Sequence, residues 1–267
     1  MKAPQPHDDW PASWRTSYEY DRLELWGHRP WSGYSRAYAL RREQALRLLT
    51  EVLPAGASIL DVAAGQGNFS LRLAEAGFRV TWNDLRGELV DYVRSKHEAG
   101  VIDFAPGNAF DIQFPQPFDA VLATDVIEHV AHPDEFVVKL ARLVKPGGIL
   151  VLSTPNGAYW RSGLPRFSDI PDPTVLESLQ FKPDADGHLF LLHPDELVEF
   201  AQKAGLSVES MTLYANSLTA GHVKLERLLP LLPNRIVQSV ENFTQRLPDG
   251  ARRVLLCHMA IRLRRAG

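Results

Sequence analysis

The sequence contains little that would place the protein in a membrane or in an oxidising compartment. Cys257 is its single cysteine, so the chain cannot form an intramolecular disulfide. No run approaches the roughly 20 apolar residues that a membrane-spanning helix needs, and the first residues, MKAPQPHDDW, hold no apolar stretch like that of a signal peptide. We therefore expect a cytoplasmic protein without a transmembrane segment.

Positive charge is not in excess either. Lysine and arginine number 29 against 32 acidic residues, a net charge of −3, which argues against a nucleic-acid partner held by bulk positive charge. Hydrophobic residues make up 45% of the 267 residues, which is enough for a core and excludes a disordered chain. The length fits one large domain, or one domain with a substantial lid.

The first 40 residues are rich in aromatic side chains. Prolines at positions 4, 6, 11 and 30 interrupt any long helix, so we expect a flap that packs onto a domain. The aromatic side chains either hold this flap down or line a ligand cleft. They are Trp10, Trp14, Tyr18, Tyr20, Trp26, Trp31, Tyr34 and Tyr38.

From residue 41 onward, short apolar runs alternate with amphipathic helical patterns, such as those at 41–53, 133–144 and 194–204. Continuous apolar strands separated by helices indicate a parallel sheet that is buried on both faces. The sequence therefore predicts an α/β fold with a mostly parallel sheet of about seven strands. The predicted strands are 58–62, 79–82, 102–105, 119–123, 149–153, 207–213 and 254–263.

Two connections in this pattern are too long to be turns. Residues 155–193 contain five prolines, and residues 214–253 contain the leucine-rich stretch 225–232. Both would leave from the carboxyl ends of strands, which is the edge where open α/β sheets bind ligands. We expect two lid insertions over a site, although the leucine-rich stretch could equally be a dimer face or bind a lipid-linked substrate.

The first predicted strand ends in the sequence ILDVAAGQGNF at residues 59–69, where an acidic residue precedes a Gly-x-Gly turn that opens a helix. The glycines let the backbone turn sharply and approach a ligand. The obvious alternative is a dinucleotide-binding dehydrogenase. Asp61 disfavours it, because its carboxylate would face a pyrophosphate, whereas a ligand with an ammonium group is compatible.

A second acidic residue, Asp84, ends the second predicted strand, seventeen residues after Gly67. A carboxylate there can accept hydrogen bonds from both hydroxyls of a ribose, with charge-assisted bonds contributing about 1.5–3 kcal/mol. A nucleoside that carries a positively charged amino-acid tail describes S-adenosylmethionine.

From residue 59 to residue 156 the sequence resembles the class I S-adenosylmethionine-dependent methyltransferases. The matching blocks, in the family's order, are DVAAGQGNF, the acid in VTWNDL, GNAFDIQFPQPFD, ATDVIEHVAHPDEF and LVKPGGILVLSTPN. The last two blocks, and HLFLLHPDELVEFAQKAGLSV from His188, are similar to the branch of ubiquinone-pathway O-methyltransferases and methyltransferases of glycans and natural products. The resemblance implies a Rossmann-like, doubly wound sheet with its last strand antiparallel. Together with the composition and the long connections described above, we expect an aromatic flap at 1–40 and a methyltransferase domain at 41–267 with lid insertions at about 155–193 and 214–253.

The resemblance also implies roles for single residues. Asp61 and the backbone of the glycine loop would hold the methionine part of the cofactor, Asp84 the ribose, and Leu85 the adenine. Where the family commonly has an aspartate this chain has Asn108, whose carbonyl can still accept from the adenine amino group. The implied cofactor-binding residues are Asp61, Ala63, Gly65, Gln66, Gly67, Asp84, Leu85, Asn108, Ala109 and Thr124.

Methyl transfer depends more on alignment of donor and acceptor than on covalent help from the protein. Such alignment can supply roughly 7–11 kcal/mol. For a hydroxyl acceptor, a base adds ~10²–10⁴-fold. The candidate catalytic residues are His129, as the base, because imidazole titrates near neutral pH, and Asp125, which the resemblance places beside the sulfonium. His129 could equally order the loop after the fourth strand by hydrogen bonding.

Metal binding is an alternative for this segment. Asp125, Glu128 and His129 form D-x-x-E-H, and some relatives with E-x-x-E-H bind a divalent ion through such residues. We do not expect a metal, because hard cations need several oxygen ligands and the wider branch carries a similar sequence without one. His188 and His193 are expected to be lid residues, with His188 near the substrate.

The sequence thus favours O-methylation of a small-molecule or sugar-like acceptor, with S-adenosylhomocysteine as the second product. An N- or carboxyl-methyltransferase, an inactive S-adenosylmethionine-binding module and an NAD-dependent oxidoreductase are the alternatives. A homodimer stays open.

Overall fold

Seven strands form one sheet in the computed structural model, which describes residues 1–26, 33–180, 187–220 and 231–267. In chain order they are β1 (Ser58–Val62), β2 (Arg79–Asn83), β3 (Val101–Phe104), β4 (Phe118–Thr124), β5 (Val144–Pro155), β6 (Leu206–Asn216) and β7 (Leu256–Arg265). Their spatial order is β3-β2-β1-β4-β5-β7-β6, and β7 runs antiparallel to both of its neighbours. The predicted Rossmann-like α/β fold with an antiparallel last strand is confirmed.

Helices cover both faces of this sheet. They are α1 (Ala12–Glu24), α2 (Gly33–Thr50), α3 (Asn68–Glu75), α4 (Val90–Lys96), α5 (Pro133–Leu143), α6 (Pro194–Lys203), α7 (Asn234–Gln245) and α8 (Asp249–Leu255). In β1, Ile59 packs in the cluster that includes Leu48 and Leu49 of α2, whereas Leu60 packs in the cluster that includes Leu140 of α5. Because successive strand residues face opposite layers, both must be apolar, which explains the continuous apolar runs in the sequence.

Two elements begin earlier than the sequence predicts. The helix expected over 41–53 is α2, which starts at Gly33 and so crosses the predicted boundary between flap and domain. Ala37, Tyr38 and Leu40 extend its buried face, although they lie among the aromatic residues that suggested a flap. Similarly, β5 starts at Val144, because this residue pairs with Phe118 before an irregularity in the register that lets Ile149 pair with Ala120. The division of the chain at residue 41 stays a prediction.

Aromatic side chains attach the amino-terminal segment to α4. The rings of Trp10 and Trp14 meet the ring of Tyr92 edge to face, at centroid distances of 5.9 and 5.6 Å. Trp10 also packs against Tyr18 at 5.6 Å, and Trp14 Nε1 donates to the Glu88 carbonyl at 2.7 Å. These aromatic residues therefore pack against α4, which lies between β2 and β3 in the chain. Trp31 lies outside the described residues.

The first long connection, after β5, lies against the loop that follows β4. The Gln180 side-chain oxygen accepts from the Ala131 amide at 3.0 Å, and His132 Nε2 lies 2.7 Å from a Glu177 carboxylate oxygen. The amide of Leu189 donates to the Glu128 carbonyl at 3.0 Å. This segment thus lies at the carboxyl edge of the sheet, and its role as a lid stays a prediction.

The second long connection, between β6 and β7, contains α7 and α8. Most of the leucine-rich stretch lies outside the described residues, as does Phe181 of the first connection; Leu231 and Leu232 are described and exposed. In the four stretches that the structure describes, no helix has the length and apolarity to cross a membrane.

Candidate active site

The loop from Ala63 to Gly67 joins β1 to α3 at the carboxyl edge of the sheet. Ala63, Gly65 and Gly67 all have positive φ angles, of 56°, 52° and 74°. At Gly67 a Cβ atom would lie 2.6 Å from a methyl carbon of Val93 in α4, so only glycine allows this close approach. The sharp turn that the glycines predict is therefore present, and α4 packs closely against it at Gly67.

Asp61 lies in β1, one residue before the strand ends, and is buried. One carboxylate oxygen, Oδ2, accepts from the Ser70 hydroxyl at 2.5 Å, whereas Oδ1 has no hydrogen-bond partner among the described residues. Burial, together with the nearby charge of Asp84, raises the pKa of Asp61 to about 7. A buried carboxylate with an unused oxygen is suited to a cationic ligand.

Asp84 follows β2 and faces the glycine loop. Its Oδ2 accepts from the Gly65 amide at 2.8 Å, and its Oδ1 accepts from the amide and Nε of Arg86, at 2.9 and 3.0 Å. Leu85, next in the chain, is 55% exposed. Trp82 Nε1 donates to the Gly65 carbonyl at 3.0 Å, so both sides of the Gly65 peptide are held by residues at the end of β2.

The loop after β3 contains Asn108 and the buried Ala109. The side chain of Asn83 fixes this loop by donating to the carbonyls of Ala105 and Gly107, at 2.7 and 2.9 Å. Asn108 Oδ1 accepts from the Phe110 amide at 3.1 Å, and its Nδ2 donates to Asp111 at 2.9 Å. One lone pair of the Asn108 carbonyl thus has a partner within its own turn, and a second remains to accept from a ligand.

Asp125 lies just beyond β4, next to the glycine loop, because β4 pairs with β1 up to Val62 and Ala123. Its φ is 48°, and its amide donates to the Ser153 carbonyl. Oδ1 accepts from the Ser153 hydroxyl at 3.1 Å, while Oδ2 forms an ion pair with Arg41 of α2. Burial alone would lower the pKa of Arg41, but the charge of Asp125 outweighs it and the pKa lies above its ordinary value.

Glu128, His129 and His188 form a second group beside Asp125. Glu128 is fully buried: Oε2 accepts from Thr154 at 2.9 Å, and Oε1 has no hydrogen-bond partner in the described part of the chain. Burial and the charge of Asp125 raise the pKa of Glu128. His188, from the first lid, has its ring centroid 5.0 Å from that of His129 and its Nε2 atom 3.8 Å from Glu128 Oε1. Burial, and then the charge of His129, lower the pKa of His188.

This group bears on the metal alternative. Glu128, His129 and His188 each offer a ligand atom within 4.8 Å of the others. Asp125, which the D-x-x-E-H pattern included, is instead paired with Arg41. The arrangement therefore supplies one carboxylate and two imidazoles, a set with few of the oxygen ligands that Mg²⁺ or Ca²⁺ needs.

The structure gathers the sequence-predicted residues at the carboxyl ends of β1 to β4. Asp61, the glycine loop and Asp84 are joined through the Gly65 amide, and Thr124 and Asp125 lie beside them. Sequence reasoning missed Arg41 and Asn83, whose partners are distant in the chain. His193 lies apart from this group, as the residue that caps the start of α6.

Comparison with known proteins gives the chain its family. The model of a methyltransferase domain family matches residues 33–211. A ubiquinone biosynthesis O-methyltransferase of Stutzerimonas stutzeri is 32% identical over 235 residues, which cover 84% of this chain and 96% of that protein. A protein of the same name from Xanthomonas axonopodis is 36% identical over 52% of this chain and 61% of its own length. A mitochondrial one from Schizosaccharomyces pombe is 35% identical over 46% and 49%. The chain therefore spans about half to three fifths of the latter two relatives.

Solved structures share the fold at low identity. The [4+2]-cyclase SpnF superimposes with a TM-score of 0.58 at 19% identity, over 96% of this chain and 97% of that one. The N-methyltransferase NodS from Bradyrhizobium japonicum, solved with S-adenosylhomocysteine, gives a TM-score of 0.52 at 14% identity, over 94% and 99%. At these identities the likeness concerns the fold alone.

Asp61→Asn should raise the free energy of unfolding at pH 8. The pKa of Asp61 is about 7 in the folded protein against 3.8 ordinarily, so the stability that its protonated form provides is lost as the pH rises towards and through 7. At about 1.4 kcal/mol per unit, the shift of about three units sets an upper bound of roughly 4 kcal/mol. Because Asn replaces the carboxylate that accepts from Ser70, we expect about half of it, on the order of 2 kcal/mol.

Urea denaturation at pH 8 and pH 5 measures this effect, which should be smaller at pH 5. Asp91→Asn is the control, because Asp91 is exposed on α4 and paired only with Arg94 within that helix. A variant that is less stable than the parent at pH 8 would show that burial of the ionised Asp61 carboxylate does not destabilise the fold.

Proposed function

Because this chain belongs to the methyltransferase domain family, we propose that it is an S-adenosylmethionine-dependent methyltransferase. The observation that carries the proposal is the unpartnered, buried oxygen of Asp61 beside the glycine loop. A cationic amino-acid tail would supply the charge that this oxygen lacks.

The residues at the site fit each part of S-adenosylmethionine. Asp61 would bind the ammonium group, and the loop from Ala63 to Gly67, which includes Gln66, would hold the methionine part. Asp84 would accept from the ribose hydroxyls in place of the Arg86 side chain, which now occupies Oδ1. Leu85, whose side chain is largely exposed, would pack against the adenine, with Asn108 and Ala109 at its edge and Thr124 near the sulfur.

When bound, S-adenosylmethionine supplies an electrophilic methyl group on a sulfonium. The chain's own residues would hold the acceptor in line with it and remove the acceptor's proton. His129 takes that proton from a hydroxyl acceptor on one ring nitrogen. His188, facing His129 from the lid, encloses the acceptor and excludes water. Asp125, held by Arg41 and Ser153, has both oxygens engaged, so it shapes the site and does not act as the base.

We propose O-methylation of a small-molecule acceptor. The relatives named as ubiquinone biosynthesis O-methyltransferases support a hydroxyl acceptor. The lid contacts on the loop after β4 support an enclosed site rather than an open macromolecular surface. A sugar-like hydroxyl is the second candidate acceptor. A cytoplasmic location and a homodimer stay predictions from the sequence.

Isothermal titration should detect binding of S-adenosylhomocysteine and no binding of NAD. Asp84→Ala should weaken S-adenosylhomocysteine binding about 10-fold or more, because a buried carboxylate that accepts charge-assisted hydrogen bonds is lost. Asp91→Ala, at an exposed position of α4, is the matched control and should leave the affinity unchanged. NAD binding without S-adenosylhomocysteine binding would refute the proposal.

Turnover is tested by release of S-adenosylhomocysteine from S-adenosylmethionine over a panel of phenols, sugars, amines and carboxylates. With the acceptor that reacts, His129→Ala should lower kcat roughly 100-fold, since a general base contributes ~10²–10⁴-fold. The exposed His7→Ala is its control. Unchanged kcat would assign His129 to ordering the loop, and activity that requires a divalent ion after chelation would favour the metal alternative. Binding without turnover on any acceptor would favour the inactive module.

A further inference from the structure

Directly beneath the glycine loop, a fully buried ion pair joins the amino-terminal segment to the sheet domain. Lys96 Nζ, at the end of α4, donates to Asp21 Oδ2 of α1 at 2.6 Å, and both side chains have no exposed surface. The Tyr92 hydroxyl donates to the same oxygen at 2.7 Å. The two residues are 75 positions apart, so the pair exists only when α1 is docked.

Asn68 connects this ion pair to the glycine loop. It is the first residue of α3 and follows Gly67 directly. Its Nδ2 donates to Asp21 Oδ1 at 2.7 Å, and its Oδ1 accepts from Lys96 Nζ at 2.6 Å. Because one partner accepts only and the other donates only, they fix which way the Asn68 amide faces.

The loop is thus held at two points, its middle and its carboxyl end, by different elements. At Gly65, the amide and carbonyl are bound by Asp84 and Trp82, both from the end of β2. At Gly67, the following residue is bound by Asp21 and Lys96, from α1 and α4. The second anchor includes Asp21, a side chain of the amino-terminal segment.

Stability alone does not account for a buried ion pair at this position. Apolar residues of similar volume often serve a protein's stability as well as a buried ion pair, or better. The aromatic contacts of Trp10 and Trp14 with Tyr92 already attach α1 to α4. What the ion pair adds is a fixed orientation for Asn68, and through it for the end of the loop.

We propose that Asp21 and Lys96 are positioning residues for cofactor binding, which act through Asn68 on the glycine loop and make docked α1 part of the cofactor site. This inference rests on the proposed function. It follows that cofactor binding and docking of α1 stabilise each other, since such coupling is reciprocal.

The test is the affinity for S-adenosylhomocysteine, measured by isothermal titration on the full chain. The decisive variant is Asp21→Leu with Lys96→Met, which removes both charges of the pair together, so that neither is left buried without the other. Glu24, whose Oε2 lies 3.3 Å from Asn68 Nδ2, is kept in this variant. We expect it to fold and to bind S-adenosylhomocysteine at least 10-fold more weakly. Asp91→Asn with Arg94→Met is the matched control on α4, an exposed ion pair that should leave the affinity unchanged.

Two further measurements separate positioning from support of the fold. In the double variant, the KM for S-adenosylmethionine should rise while kcat at saturation stays near that of the parent. In the parent, S-adenosylhomocysteine should slow amide hydrogen exchange in α1 as well as in the glycine loop, a result that needs no variant to fold.

A double variant that binds S-adenosylhomocysteine within twofold of the parent would overturn the inference, as would unchanged exchange in α1 on binding. If the parent itself does not bind S-adenosylhomocysteine, the proposed function fails instead. The two failures are therefore distinguishable.

Discussion

The rest of the structure depends on one constraint, the burial of several carboxylates at the carboxyl edge of the sheet. Asp61, Asp84 and Glu128 are buried, and the side chain of Asp125 is 16% exposed. Removing a carboxylate from water is costly unless it is paired or hydrogen-bonded. The chain compensates incompletely: Ser70 and Thr154 each serve one oxygen of a carboxylate and leave the other unused. Burial disfavours the ionised forms of Asp61 and Glu128 and raises their pKa values, so a cationic ligand that favours the ionised forms would be stabilised at this edge.

The compensation comes largely from helices outside the sheet. Arg41 of α2 pairs with Asp125, and Lys96 of α4 pairs with Asp21 of α1. Arg41 of α2 thus gives Asp125 its cation, and Lys96 of α4 gives Asp21 of α1 its cation. The family match begins at Gly33, the first residue of α2, so it includes Arg41 but not Asp21 of α1.

The sequence predicted the strands well because each is a short apolar run that must fill two core layers, as at Ile59 and Leu60. Asp61 and Asp84 were predictable for a related reason: a polar residue at a strand end is placed by the strand. Arg41 was not, because its partner lies 84 positions away and nothing local in α2 indicates a contact. The start of α2 was missed since its aromatic residues resemble those of the segment before it. Likewise, His188 meets His129 only through the path of the lid, which periodicity does not describe.

The position of β7 affects the order in which the strands can join the sheet during synthesis. β7 follows β6 in the chain, yet it lies between β5 and β6 and is the strand with which β6 pairs. During synthesis, β1 to β5 can associate as soon as they emerge, and the glycine loop can form with them. β6 has no place in the sheet until β7 has been translated and inserted. The half of the sheet that carries the glycine loop can therefore assemble on the ribosome before the edge that supports the second lid.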